Sequence, residues 1–326
     1  MPEFDLIERL QARICAPAAA HRRHCILGIG DDAAVLEPPA DRQLVICTDT
    51  LVEGVHFPIE TAPESVGHKA LAVNLSDLAA MGAEPAWFFL ALTLPAADSE
   101  WLDRFAAGMA RLASETGIYL AGGDLASGPL NICVTAVGLV EPGRALLRSG
   151  AAPGDLVVVS GRPGAAAHAL AILRSGAQPD DQDKAALDFP SPRLELGREL
   201  QGLATSCIDL SDGLLADLGH VLDASNVGAE LALDNLPCPD SLVAMMERER
   251  WPLQLSGGDD YELCFTVPAD SRERLDALAQ DGTCELTVIG IITAERSLKL
   301  REPGGGIYRP GRPGYEHFSD DDAGAM

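Results

Sequence analysis

The chain has 326 residues, of which 47% are hydrophobic, so it can bury a large core, and its length corresponds to about two domains. Its formal net charge of −25 argues against nucleic acid or an anionic membrane surface as the main partner, because like charges repel. We therefore predict neither a nucleic-acid partner nor a membrane partner.

Short apolar runs bounded by Gly, Pro or Asp alternate along the chain with longer stretches of helical periodicity. The apolar runs predict buried strands over Cys25–Ile29, Leu44–Cys47, Trp87–Leu94, Asn131–Val140, Leu156–Ser160, Glu262–Val267 and Leu286–Ile292. The periodic stretches predict helices over Phe4–Arg13, Glu64–Met81, Ser99–Thr116, Gly164–Ser175, Arg193–Leu203, Asp212–Ala224 and Ser271–Ala279. This mixture predicts an α/β or α+β fold.

One segment separates two well-patterned halves of the chain. Between Glu141 and Asp155, prolines and glycines interrupt the periodicity of the sequence. We therefore place a domain boundary near residue 148 and predict two domains, residues 1–147 and 148–326.

The eight cysteines and the apolar segments indicate the compartment. None of the cysteines are spaced as Cys-x-x-Cys, and several lie inside apolar runs, which is typical of reduced core thiols. The N-terminus lacks the apolar core of a signal peptide, and no uncharged apolar run reaches the ~18 residues of a membrane span. These features predict a soluble, cytoplasmic protein.

Six short acidic segments follow apolar elements, and their Gly, Ser and Thr content predicts loops. They are Gly30–Asp32, Thr48–Thr50, Asn74–Asp77, Gly122–Asp124, Asp209–Gly213 and Ser256–Asp260. Any one aspartate could be a helix N-cap or a turn residue. Six together favour a shared role, and because the chain has only three lysines, divalent cations are the expected counter-charge. Oxygen ligands of this kind suit Mg²⁺ that holds a phosphate.

Two common nucleotide-binding motifs do not account for these segments. The glycines at 28 and 30 and Ala33 satisfy a Gly-x-Gly-x-x-Ala pattern, but Asp31 and Asp32 would face the pyrophosphate, and two prolines follow closely. A Gly-x-x-x-x-Gly-Lys-Ser/Thr motif is absent from the sequence. If the protein handles nucleotide phosphates, we expect metal ions to do most of the binding.

Several motifs together resemble one family. Gly-Ile-Gly-Asp-Asp, Thr-Asp-Thr-Leu-Val, Asn-Leu-Ser-Asp-Leu-Ala-Ala-Met-Gly-Ala, Ile-Asp-Leu-Ser-Asp-Gly-Leu and Tyr-Glu-Leu-Cys-Phe resemble the thiamine-monophosphate kinases, over about Phe4 to Phe318. This family belongs to the aminoimidazole ribonucleotide synthetase-like superfamily. The resemblance implies a two-domain fold and a homodimer whose N-terminal strands form a shared barrel. It also implies that the N-terminal domain binds ATP and magnesium, and that the C-terminal domain closes the active-site cleft.

The resemblance further implies an activity and roles for individual residues. The reaction would be direct in-line transfer of a phosphoryl group from ATP to thiamine monophosphate, assisted by several Mg²⁺ ions. The implied metal ligands are Asp32, Cys47, Thr48, Asp49, Asp77, Asp124, Asp209 and Asp212. The implied ATP contacts are Gly123, Asp124, Arg148 and Ser211, and the implied substrate contacts are His56, Asp259 and Tyr315. Of these, Asp49, Asp124 and Arg148 are the predicted catalytic residues.

Two positions depart from the common family pattern. Cys47 stands where a serine often precedes Thr-Asp-Thr, and Asp259 stands where a glutamate is usual. The first puts one metal contact in question, and the second shortens a substrate contact by one methylene.

Two other functions remain compatible with the residues. One is another ATP-using activity of the same superfamily, of the aminoimidazole ribonucleotide synthesis type. The other is a non-catalytic protein that binds divalent metal, although the sequence has no calcium loop of the Asp-x-Asp-x-Asp-Gly kind.

Overall fold

The computed structural model describes residues 3–15, 22, 24–280 and 284–317. By internal contacts the chain divides into two compact units, Met1–Ala145 and Leu146–Met326. Phe318, the last residue of the motif resemblance, lies outside the described residues.

The N-terminal unit combines three helices with two small sheets. Its elements are α1 (Glu3–Cys15), β1 (Cys25–Leu27), β2 (Val35–Leu36), β3 (Gln43–Val52), α2 (Pro63–Ala80), β4 (Glu84–Leu94), α3 (Ser99–Thr116), β5 (Tyr119–Ser127) and β6 (Asn131–Val140). A four-stranded sheet has the order β3-β6-β4-β5, and β1 pairs with β2. All neighbours in the larger sheet are antiparallel except β4 and β5.

Helices α2 and α3 approach so closely that each requires a glycine at the contact. A Cβ on Gly67 would lie 2.0 Å from the Phe105 carbonyl oxygen, and one on Gly108 would lie 1.9 Å from that of Glu64. Because α2 is enclosed, nearly all of its side chains are buried, including Asn74. This contact fixes the N-terminal half of α2, the helix that also carries Asp77.

The four-stranded sheet has one face towards the helices and one outer face. Side chains alternate between the faces, so Cys47, Asp49 and Leu51 of β3 share the inner face, and Ile46 and Thr48 share the outer one. On the outer face, a small core that includes Cys25, Trp87 and Tyr119 lies next to Leu36 of β2. Ile46 remains 60% exposed there.

The C-terminal unit is built on a seven-stranded sheet. Its strands are β7 (Leu156–Ser160), β8 (Ser206–Asp209), β9 (Gly228–Ala232), β10 (Leu263–Val267), β11 (Leu286–Thr293), β12 (Leu298–Arg301) and β13 (Ile307–Tyr308). Its helices are α4 (Ala165–Arg174), α5 (Asp181–Asp188), α6 (Leu194–Glu199), α7 (Leu214–Ser225), α8 (Glu247–Ser256) and α9 (Arg272–Gln280). The strand order is β13-β12-β9-β11-β7-β10-β8, with only β9 and β12 parallel among these pairs.

The core of this unit packs α7 and α8 against the sheet through Leu218, Trp251, Cys264 and their apolar neighbours. Among the described helices, none is long and apolar enough to cross a membrane.

The seven predicted strands and seven predicted helices are all present, with shifted ends in most cases. The prediction that all six acidic segments are loops is wrong for three of them. Thr48–Thr50 lies inside β3, Asn74–Asp77 inside α2, and Gly122–Asp124 inside β5. Edge strands tolerate polar and glycine residues, which hid the strand signal in β3 and β5.

One buried ion pair links a strand end to helix α6. The Arg193 Nε donates to Glu262 Oε2 at 2.7 Å, and a second guanidinium nitrogen donates to Glu262 Oε1. Glu262 also accepts a 2.5 Å hydrogen bond from Ser160 Oγ. The carboxylate side chain is only 10% exposed.

We predict that Arg193→Met lowers the free energy of unfolding by about 3 kcal/mol, because it leaves a buried charge without its partner. The matched control is Arg301→Met, which breaks a similar two-pronged pair with Glu230, where the side chains are 44% and 33% exposed. The control should cost less than about 1 kcal/mol. Urea unfolding measures both, and equal losses would contradict the prediction.

Candidate functional site

The residues implied by the resemblance fall into both units. The N-terminal unit carries Asp32, Cys47, Thr48, Asp49, His56, Asp77, Gly123 and Asp124, and the C-terminal unit carries Arg148, Asp209, Ser211, Asp212, Asp259 and Tyr315. Within the described residues, no three His, Cys, Asp or Glu side chains already converge as a metal centre.

The inner face of β3 meets α2 at a pair of carboxylates. Asp49 lies within hydrogen-bonding reach of Asp77, and burial raises the pKa of Asp49 whereas the contact with Asp77 opposes that rise. Two acids in contact on an enclosed surface favour a shared cation or a shared proton. Hard carboxylate oxygens in this arrangement fit Mg²⁺.

Cys47 lies beside this pair but is a poor ligand for a hard metal ion. Its Sγ donates to the Asn74 carbonyl oxygen at 3.3 Å. Burial, followed by the charges of Asp77 and Asp49, raises the pKa of the Cys47 thiol far above its usual value. The thiol therefore stays protonated, so only the backbone carbonyl of Cys47 is suited to Mg²⁺.

Thr48 points away from these acids. It is exposed on the outer face, where its Oγ1 is 2.9 Å from Thr135 Oγ1. A metal contact from the Thr48 backbone remains compatible with this orientation, whereas its hydroxyl is on the other side of the sheet from Asp49.

Asp124 is also remote from Asp49. The register pairs Asp49 with Val134, Val134 with Leu90, and Leu90 with Gly123, so the two acidic strands form opposite edges of the sheet. Three strand spacings of ~4.8 Å place these edges about 14 Å apart. Asp124 follows Gly123 in β5 and pairs with Ala91 of β4, so its side chain lies on the outer face of the sheet. One Mg²⁺, with ligands at about 2.1 Å, cannot bridge both carboxylates within one chain.

The close packing of β5 against β4 requires a glycine at position 123. A Cβ there would lie 2.0 Å from the Leu90 carbonyl oxygen. The residue therefore brings its backbone, rather than a side chain, to the position next to Asp124.

Two loops carry the remaining residues of this unit. Asp32 is exposed and follows Gly30, whose φ of +123° favours glycine. His56 lies in the turn after β3, where its Nδ1 accepts a 3.0 Å hydrogen bond from the Val52 amide. The neutral imidazole therefore carries its hydrogen on Nε2.

In the C-terminal unit, one loop brings several implied residues together. Buried Asp209 ends β8, and the backbone of Ser211 and Asp212 leads to α7. The Ser211 carbonyl accepts from the Asp259 amide at 2.9 Å, and the Asp212 carbonyl accepts from the Tyr315 amide at 2.9 Å. The structure thus joins the Ser211–Asp212 loop to two of the three predicted substrate residues, Asp259 and Tyr315.

Glycines and a strained backbone permit this close packing. A Cβ on Gly258 would lie 2.4 Å from the Ser211 carbonyl oxygen, and one on Gly314 would lie 2.6 Å from that of Asp212. Asp259 has a φ of +69°, and its Oδ1 accepts a 3.0 Å hydrogen bond from Tyr261 Oη. The side chain of Asp259 is therefore held in one orientation.

Asp217 is a neighbour of these residues that the sequence motifs did not single out. Its Oδ2 accepts hydrogen bonds from the amides of Ser211, Asp212 and Gly213 at 3.0, 3.1 and 3.1 Å. An acidic residue near the start of a predicted helix was the available signal, because such side chains often reach back to preceding amides.

The acids of this loop affect one another. Burial raises the pKa of Asp212, and the positive charge of Arg148 is among the influences that lower it. Burial and then the charges of Asp209 and Asp212 raise the pKa of Asp217 from 3.8 to about 7. Burial also raises the pKa of the neighbouring Asp260, against an opposing 2.8 Å hydrogen bond from the Gly164 amide.

We predict that metal-free protein loses stability as the pH rises from about 6 to about 8. A carboxyl group with a raised pKa contributes stability below its unfolded pKa of 3.8, and this contribution is lost as the pH passes its folded value of about 7. We expect Tm to fall by about 3 °C or more, and saturating Mg²⁺ to raise Tm more at the higher pH. Thermal melts with and without MgCl₂ at matched ionic strength measure this. An equal Mg²⁺ effect at both pH values would contradict it.

Known proteins match this chain along most of its length. Residues 30–140 match the model of the AIR synthase related protein, N-terminal domain, and residues 152–302 match that of the C-terminal domain. A thiamine-monophosphate kinase of Escherichia coli is 45% identical over 333 residues, which cover 97% of this chain and 98% of that protein.

Solved structures agree with these matches. The crystal structure of thiamine-monophosphate kinase from Stenotrophomonas maltophilia has a TM-score of 0.85 at 45% identity, covering 92% of this chain and 96% of that one. The structure of AaThiL complexed with AMPPCP and TMP has a TM-score of 0.76 at 30% identity, covering 97% of each chain. The predicted resemblance is confirmed. The chain belongs to the AIR synthase related family and, within it, to the thiamine-monophosphate kinases.

Proposed function

We propose that this chain transfers the γ-phosphoryl group of ATP to thiamine monophosphate, which gives ADP and thiamine diphosphate. The single observation that carries this proposal is the pairing of Asp49 with Asp77 beside β3, in a chain that is 45% identical to a thiamine-monophosphate kinase. The AaThiL structure with AMPPCP and TMP supplies the chemical class of both substrates.

The acidic side chains serve as oxygen ligands for magnesium. Asp32, Asp49, Asp77 and Asp124 of the N-terminal unit and Asp209 and Asp212 of the C-terminal unit are the proposed ligands, with backbone contacts from Cys47 and Thr48. When bound, Mg²⁺ neutralises the phosphate oxygens on which charge accumulates during transfer.

The chain's own groups then orient the two substrates. The backbone of Gly123, the Ser211 hydroxyl and the guanidinium of Arg148 are proposed to contact ATP. The Nε2–H of His56 is suited to donate to the phosphate of thiamine monophosphate, because Nδ1 already accepts from Val52. Asp259 and Tyr315 are the other proposed substrate contacts, and their backbones are fixed to the Ser211–Asp212 loop.

The acceptor requires no general base. The attacking atom is a phosphate oxygen that is already ionised near neutral pH, so alignment and charge neutralisation are sufficient. We therefore propose one direct in-line step without a phosphorylated protein intermediate.

The decisive assay measures thiamine diphosphate formed from thiamine monophosphate and ATP, with and without a chelator. We expect product only with Mg²⁺, and no phosphorylated protein after a rapid quench. ADP release with a different phosphate acceptor, but none with thiamine monophosphate, would instead favour another activity of the superfamily. Calorimetric binding of Mg²⁺ without any turnover would favour a metal-binding role.

We further propose that the protein acts as a homodimer whose N-terminal sheets pair, with the roles of ATP binding, metal binding and dimerisation in residues 1–147. The support is that β3 and β5 are edge strands among the described residues, and that Leu44 and Ile46 are 47% and 60% exposed on the outer face of β3. Long edge strands and exposed apolar residues favour association.

A dimer also resolves the separation of Asp49 from Asp124. Because one chain holds these acids on opposite edges of its sheet, pairing of β3 with β5 of a second copy would bring Asp124 of that copy to the edge that carries Asp49. In a two-fold symmetric dimer this exchange creates two equivalent shared sites.

We predict that Asp49→Asn and Asp124→Asn each lower turnover by at least ~10²-fold, the scale of losing one electrostatic stabiliser. Mixing the two variants after dissociation and reassociation should restore about one quarter of wild-type activity. About half of the dimers are then hybrids, and each hybrid contains one shared site with both aspartates intact.

The control for this mixture is each variant taken alone through the same dissociation and reassociation. Activity of the mixture that equals the mean of the two controls would show that both acids act within one chain.

A further inference from the structure

The start of α7 contains an anion site that the chain itself fills. Three consecutive amides, those of Ser211, Asp212 and Gly213, converge on one oxygen of Asp217, which lies in the first turn of the same helix. Amides at a helix N-terminus ordinarily attract phosphate, because the helix dipole adds to their partial positive charge. Here the carboxylate of Asp217 occupies that position.

The arrangement is enclosed and has little freedom to open. Asp217 is only 3% exposed, so solvent does not reach its carboxylate. Gly213 has a φ of +119°, and a Cβ there would lie 2.9 Å from the Ser256 carbonyl carbon. A phosphate group therefore has no path to these amides without displacing the carboxylate and unpacking the loop.

The fixed loop determines where the neighbouring acids point. Both backbone groups of Asp212 are hydrogen-bonded. Its amide donates to the Asp217 carboxyl oxygen, and its carbonyl accepts from the Tyr315 amide. These two bonds hold the backbone of Asp212 in place and so fix the position from which its side chain extends. Asp209 enters the loop from β8, whose register with β10 is fixed by pairing with Leu263.

We propose that Asp217 is a positioning residue. It accepts hydrogen bonds from all three amides of the Ser211–Gly213 loop, and the loop so held directs the carboxylates of Asp209 and Asp212 towards a metal ion. By filling the amide site, it also ensures that a phosphate reaches this loop through the metal-binding acids and not through the backbone. This role rests on the proposed function, and it extends that function to a residue that touches neither substrate nor metal.

A simple contribution to stability is the competing explanation, because the same hydrogen bonds cap the helix. The two roles differ in their effect on metal binding. A residue that only stabilises α7 changes Tm and leaves the Mg²⁺ affinity of the folded protein unchanged. A positioning residue changes the Mg²⁺ affinity, and loss of an outer partner of a metal ligand typically costs ~10–100-fold.

The test compares Asp217→Asn with Asp223→Asn. Asp223 is on the same helix and is exposed, so its variant makes the same Asp-to-Asn change without touching the loop. Calorimetry measures Mg²⁺ binding to each folded protein, and the thiamine diphosphate assay measures the Mg²⁺ concentration for half-maximal activity. We expect D217N to lower the Mg²⁺ affinity and to raise the Mg²⁺ concentration for half-maximal activity, each by at least ~10-fold. Turnover at saturating Mg²⁺ should stay within ~3-fold of wild type. D223N should change each quantity less than ~2-fold.

Asp217→Glu provides a second variant if D217N does not fold, since it keeps the charge and displaces the carboxylate by one methylene. We expect D217E to weaken Mg²⁺ binding in the same direction. Mg²⁺ affinity equal to that of D223N, in whichever of D217N and D217E is folded, would overturn the proposal even if Tm fell. A wild-type protein that binds Mg²⁺ but makes no thiamine diphosphate would overturn the proposed function, and the calorimetric comparison would still decide the role of Asp217.

Discussion

Mutual repulsion among partly buried carboxylates is the constraint on which the proposed site depends. Asp49 lies against Asp77, and Asp209, Asp212 and Asp217 affect one another, with burial raising the pKa of Asp49, Asp212 and Asp217. The chain has 24 Lys and Arg residues against 49 Asp and Glu residues, so its net charge is −25 and its own cations cannot balance all of its acids. Burying them without a counter-charge lowers stability, so bound divalent ions and substrate phosphates would complete the electrostatics as well as the chemistry.

The backbone frameworks that hold the acids differ between the two units. In the N-terminal unit, the tight contact of α2 with α3 through Gly67 and Gly108 fixes the helix that carries Asp77. In the C-terminal unit, the amides of the Ser211–Gly213 loop donate to Asp217, and its carbonyls accept from the amides of Asp259 and Tyr315. Rigid support of this kind limits the reorganisation needed when substrates bind.

The four-stranded sheet imposes a further condition on function. It separates Asp49 from Asp124 by its full width and places them on opposite faces. Two aspartates that the sequence motifs assign to one reaction are thus apart in one chain. The proposed dimer would bring the edges that carry these groups together, and it would connect the exposed edge strands of the sheet with the chemistry of the site.

The sequence by itself determined the alternating fold class, the existence of the long elements and the family. Asn131–Val140, Leu156–Ser160 and Ser99–Thr116 were predicted with the observed ends, because their apolar patterns are interrupted only at the boundaries. The acidic motifs likewise identified the family, because the identity and spacing of side chains can be read from the sequence without knowing the fold. Short or polar strands such as β8 and β5 were not predicted, because their local pattern is indistinguishable from that of loops.

Only the tertiary structure decided which acids are neighbours. Strand order and register, which local sequence does not encode, set Asp124 apart from Asp49. The same is true of Asp217, whose role depends on three amides that converge only after the loop has folded against α7. Its identity as an acid was visible in the sequence, but its function arises from contacts made in three dimensions.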